Sequence, residues 1–144
     1  MRIRYTILLI ALALLSACGI KRDNPLDPTY NSSIVKPGDV GGLQHTVLGT
    51  TTPYVILEWI SNNNYNTDGY YVYRSLGYNS FYAVVDTVLH VEGTPLQSYT
   101  HSSANDPSVA PGDYWYRVSA YKDYEEGRLE GRLSDKHFVR IPGK

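Results

Sequence analysis

From residue 41 to residue 141 the dominant signal is a period of two. In "YVILEWI" (residues 54–60) Val55, Leu57 and Trp59 fall on one side, with Ile56 and Glu58 on the other. That alternation belongs to a strand with one face in a core. "LQHTVLG" (43–49), "YYVYRS" (70–75), "FYAVVDTV" (81–88), "QSYTH" (97–101), "PGDYWYRVSAY" (111–121) and "GRLSDKHFVRI" (131–141) are the other strand segments. Asparagine, aspartate and glycine separate them. "SNNNYNTDG" (61–69) is a loop, because Asn and Asp hydrogen-bond their own backbone in turns. No segment carries a helical period. Seven short strands with turns between them predict an all-β, antiparallel sandwich with one core.

The first residues do not belong to that pattern. Arg2 and Arg4 precede an apolar run over residues 7–15, and the small residues Ser16 and Ala17 lead to Cys18, the only cysteine. This is the layout of a secretory signal. The run falls short of the ~20 apolar residues that cross a bilayer as a helix. "LSAC" (15–18) resembles the lipobox of bacterial lipoproteins. That resemblance implies cleavage before Cys18, a diacylglycerol thioether on its sulfur and acylation of its amine, and hence attachment to a membrane. Gly19, where an aspartate is associated with inner-membrane retention, favours the outer membrane. The expected organisation is a signal peptide over 1–17, a lipidated tether over 18–37 and a folded domain over 38–142. "DNPLDP" in the tether resembles a short motif found after the anchor cysteine of some lipoproteins, with Asp23 and Asp27 as turn formers. Three prolines bias this stretch towards extended backbone.

Without Arg2 and Arg4, eleven basic residues face fourteen acidic ones, a net charge of −3. Nucleic-acid binding by a basic face is not expected. With Cys18 acylated, the domain has no disulfide to rely on and needs a packed core.

"VILEW", "DGYYVYRS", "SYTH", "PGDYWYRVSAY" and "GRLS" come in the order and spacing of strands B, C, E, F and G of fibronectin type III domains, and the chain resembles that family over residues 38–142. The resemblance implies an immunoglobulin-like, seven-stranded sandwich with Trp59 between the sheets and Tyr114 as the tyrosine corner after Pro111, Gly112 and Asp113. It departs over residues 86–96, where the register of the C′–E region is open. It implies inward Tyr114, Tyr116, Val118 and Ala120, so that Trp115, Arg117 and Tyr121, beside Tyr71 and Tyr73 of strand C, form the candidate binding face.

The histidines at 45, 90, 101 and 137 lack metal-ligand spacing, so no metal or other cofactor is expected beyond the lipid anchor. Ser98, His101 and Asp106 are the one conceivable triad, but they lie on a short strand and a loop without a strained elbow, and no catalytic residue is assigned. Asp68, Asp123, Glu125, Glu126 and Glu130 make the end of the sandwich with the B–C loop and the F–G loop (122–130) acidic. The expected role is a lipid-anchored envelope binding or spacer module that mediates protein interaction or display without catalysis. The alternative is a carbohydrate-binding accessory lipoprotein using the aromatic face.

Overall fold

A computed structural model of the chain describes residues 24–49, 52–102 and 109–142. The signal peptide, Cys18 and Asp106 lie outside the described residues. β1 (Gln44–Leu48), β2 (Tyr54–Ile60) and β5 (Leu96–Ser102) form one antiparallel sheet, in the order β1-β2-β5. β4 (Ala83–Leu89), β3 (Gly69–Ser75) and β6 (Gly112–Tyr124) form the second. Its last strand is divided into β7 (Gly127–Glu130) and β8 (His137–Ile141), both paired with β6. These are sheets A-B-E and C′-C-F-G of the expected sandwich, and no α-helix occurs among the described residues.

Burial obeys the alternation. Val55, Leu57 and Trp59 on β2 face Tyr70 and Val72 on β3 and Tyr116, Val118 and Ala120 on β6, and all of them are fully enclosed. Each large side chain so buried contributes about 1.5–3 kcal/mol. The Trp59 and Tyr70 rings meet edge to face at 5.2 Å. Tyr114 closes the corner: its Oη donates to the Ala110 carbonyl at 2.8 Å and accepts from the Ala110 N–H at 3.3 Å.

Three local readings change. The region assigned to an F–G loop is a hairpin, with β6 running on to Tyr124, turning through Glu125 and Glu126, and returning as β7. The closing strand expected over 131–141 is interrupted, because Tyr121 faces Glu130 and Tyr116 faces His137. Four residues on β6 (117–120) therefore oppose six (131–136), and the surplus leaves the ladder. Ser134 restores the hydrogen bonding at the break, accepting from the Val118 N–H through its hydroxyl at 2.9 Å and donating its own N–H to the Val118 carbonyl at 2.8 Å. The open register resolves with a bulge just before residue 86: Val72 faces Asp86 but Tyr73 faces Val84, leaving Val85 as the extra residue, and from Asp86 the strand pairs regularly to Leu89. Gln97, buried at the start of β5, then organises the connection by bonding both the N–H and the carbonyl of Val91, the Ser61 hydroxyl and the Thr94 hydroxyl.

Residues 24–40 are packed on the sandwich where the B–C connection and the β6–β7 hairpin lie. Ile34 and Val40 are buried, and the Val35 backbone is gripped twice by one side chain: its N–H donates to Tyr124 Oη at 2.8 Å, and Tyr124 Oη donates to its carbonyl at 2.7 Å.

Candidate functional site: the outer face of the C′-C-F-G sheet

Pairing places Tyr71 opposite Ser119, Tyr73 opposite Arg117 and Gly69 opposite Tyr121. Opposite residues of antiparallel strands share a face. Tyr71, Tyr73, Trp115, Arg117 and Tyr121 therefore do lie together on the outer side of the sheet. They do not form one open surface, because two features divide it.

At the hairpin end the face is covered. Tyr121 is 2% exposed. Its ring lies over Gly69, where a Cβ would overlap Tyr121 Oη. The Arg128 guanidinium covers it at 3.8 Å from the ring centroid. Arg128 also donates to Tyr71 Oη at 2.8 Å and grips Asp123 with two bonds of 2.5 and 2.8 Å. That pairing lowers the Asp123 pKa and raises that of Arg128. Glu130 Oε1 accepts from Tyr73 Oη at 2.6 Å and from the Ser119 hydroxyl at 2.5 Å. Burial, then the Glu130 carboxylate, pushes the Tyr73 phenol up to about 12. The polar tips of Tyr71 and Tyr73 are thus spent within the protein, and Tyr121 is scaffold. Arg117, in the middle, is also engaged, donating to the carbonyls of Ser134 at 2.7 Å and Leu133 at 3.3 Å, which ties down the break between β7 and β8.

The other end is apolar and open. Trp115 meets Tyr78 at 4.9 Å with planes inclined by 78°, and Phe138 at 5.0 Å and 51°. Lys136 stands 3.7 Å over the Tyr78 ring, and Arg140 lies over Phe138 while holding Asp113 through two bonds. The turn that carries Tyr78 also carries Leu76, 76% exposed, and Phe81, 86% exposed.

Tyr78, Phe138 and Arg128 were missed in the sequence, and Glu130 was assigned to the acidic loops and not to this face. For Arg128 and Glu130 a usable signal existed: "EEGRLE" places a glycine just after a two-residue turn, a hairpin pattern. Tyr78 and Phe138 carried none, since a turn residue and an outward strand residue meet only through the fold.

Three of the five carboxylates at the acidic end are engaged within the protein, two of them by cations. Asp68 pairs with Lys122 at 2.7 Å and accepts from the Asp123 N–H, Asp123 pairs with Arg128, and Glu130 accepts from two hydroxyls. Among the described residues no three His, Cys, Asp or Glu side chains converge as metal ligands. Ser98 and His101 point to opposite sides of β5: Ser98 faces solvent, whereas His101 is fully buried with its Nδ1 2.7 Å from Tyr116 Oη. That pair cannot act as a nucleophile and its base.

No protein-family model and no curated protein matches the chain. Among solved structures it resembles the crystal structure of an Fn3-like protein from Clostridium thermocellum, with a TM-score of 0.54 and 22% identity over 76% of this chain and 98% of that one. With the two-sheet order, the buried Trp59 and the Tyr114 corner, this likeness establishes a fibronectin type III-like fold.

Proposed function

We propose that the chain is a lipid-anchored module of the bacterial cell envelope, attached through acylated Cys18 at the outer membrane, which binds an envelope protein and performs no catalysis. The observation that carries the binding part is the open apolar end of the C′-C-F-G sheet, where Leu76, Tyr78 and Phe81 stand out beside Trp115 and Phe138. Large exposed apolar groups with a rim of cations are characteristic of protein contact surfaces. A flat platform for sugar rings presents its aromatics in one plane. The inclinations of 78° and 51° about Trp115 therefore favour a protein partner over the carbohydrate-binding alternative.

A photo-crosslinking residue at Phe81 in the full-length chain, expressed in its host, tests this. The expected result is one dominant envelope-protein adduct, lost when Leu76 and Tyr78 are changed to serine while the melting temperature is unchanged. A diffuse adduct pattern, insensitive to those substitutions, overturns it.

A further inference from the structure

Residues 24–40, ahead of β1, are built as part of the fold. Asn24, Asp27 and Asn31 each fold the chain over themselves, accepting from the N–H groups of Leu26 at 3.1 Å, Thr29 at 2.9 Å and Ser33 at 3.1 Å. The prolines keep the intervening backbone from other conformations. "NPLDP" is therefore a folded stretch and not an extended spacer. Residues 35–39 are docked at one end of the sandwich only: Val35 on Tyr124, the Lys36 carbonyl on Asn66 Nδ2 at 3.4 Å, Pro37 against Gly131, and the Asp39 carbonyl on Asn62 Nδ2 at 3.4 Å. These partners all belong to the B–C connection, the end of β6 or the segment just after β7. Leu26 reaches the turn of the hairpin itself, beside Gly127.

The consequence is one of reach. Had residues 18–40 been a loose tether, a chain extending ~3.3 Å per residue would let the domain wander ~70 Å from its anchor and turn over freely. With residues 24–40 docked, five residues (19–23) separate Cys18 from the folded body, a reach of ~20 Å over six steps of the chain. The sandwich is about twice that long, since the thirteen residues of β6 span ~43 Å. The end carrying Leu76, Tyr78 and Phe81 lies at the far extremity, because β3 runs from the hairpin end towards that turn.

We infer that residues 24–40 are a mount: they hold the β6–β7 hairpin against the lipid surface that carries Cys18 and present the apolar β3–β4 turn away from it, to a protein that approaches from the opposite side. This rests on the proposed lipid anchor.

The test uses the full lipidated chain in phosphatidylethanolamine–phosphatidylglycerol vesicles with a nitroxide on the lipid headgroups. Because acylation consumes the Cys18 thiol, Glu126→Cys and Leu76→Cys each offer a single site for a fluorophore. Quenching several-fold stronger for the Glu126→Cys label than for the Leu76→Cys label is expected. Combining Tyr124→Phe with Ile34→Asp, which unseats the mount, should bring the two values together. Equal quenching with the mount intact overturns the inference, even if Cys18 is acylated. A mass spectrum showing unmodified Cys18 removes the anchor reading, and the mount with it. Protection of the Val35 N–H from exchange in the unlabelled chain shows whether the segment is docked in solution, and fast exchange there counts against the mount whatever the anchor.

Discussion

If residues 24–40 belong to the fold, truncating Ile34 must cost stability. Ile34 is 4% exposed although it lies ahead of β1. Ile34→Ala removes three buried carbons, at about 0.8 kcal/mol each, which comes to about 2.4 kcal/mol before any penalty for the cavity. Unfolding a body of about 119 residues changes entropy by about 0.25 kcal/mol/K, so the melting temperature should fall by about 10 °C. Thermal and urea unfolding, tracked by the fluorescence of buried Trp59, gives both quantities. The m-value should not change, since the cooperative unit is the same. Tyr30→Ala is the internal control: Tyr30 is 76% exposed on the same segment and should shift stability by less than about 0.5 kcal/mol. If Ile34→Ala proves as silent as Tyr30→Ala, the segment is a tether after all and the reasoning from its burial fails.

Local geometry sets two more outcomes. Gly69→Ala would ordinarily help a strand by about 0.5–1 kcal/mol, but here the new Cβ would meet Tyr121 Cζ at 2.6 Å and the Val88 carbonyl oxygen at 2.6 Å. A loss of about 1–3 kcal/mol in urea unfolding is expected, and a gain would mean that Tyr121 is not seated over Gly69. His137 lies 2.7 Å from His45 across the edge between the sheets, and burial, then the charge of His45, lowers its pKa from 6.5. The unfolded chain therefore binds the extra proton first. The stability this group contributes is complete above about pH 6.5 and is lost as pH falls through the lowered value. Urea midpoints should drop between pH 7 and pH 5, and His137→Gln should flatten that slope. A slope unaltered in the variant refutes the assignment. Asp113 and Asp123 also have lowered pKa values, so their contributions are lost only below their usual 3.8 and do not blur the test.

Much of this was legible in the sequence because it is local. A period of two assigns Val55, Leu57 and Trp59 to one face whatever the strand pairs with, and Tyr114, Tyr116, Val118 and Ala120 likewise. The strand at residues 54–60 was placed to the residue for that reason. The same rule sent Trp115, Arg117 and Tyr121 to the outer side, with Tyr71 and Tyr73, and their pairing agrees.

Alternation says which way a side chain points but not what stands over it. Whether Tyr121 met solvent depended on Arg128, which comes to it only because β6 continues to Tyr124 and folds back as β7. The sequence around Glu125 and Glu126 read as acidic loop, and so hid a cation and a carboxylate that complete the sheet. The four-against-six mismatch between β6 and its partners appears in neither segment alone, since register is a property of two strands. Likewise the proline-rich composition before β1 predicted an extended tether, because composition carries no information about what the segment packs on. Ile34 is buried all the same, and the double grip of Tyr124 on Val35 is supplied by a hairpin about 90 residues further on. The sequence by itself settled the all-β class and which residues of each main strand share a face, consequences of short-range sterics, while the family resemblance supplied the inner face of β6 and the Tyr114 corner. Which outward aromatics stay open, and where the segment before β1 is held, were decided by contacts between residues far apart in the chain, which only the closed sandwich brings together.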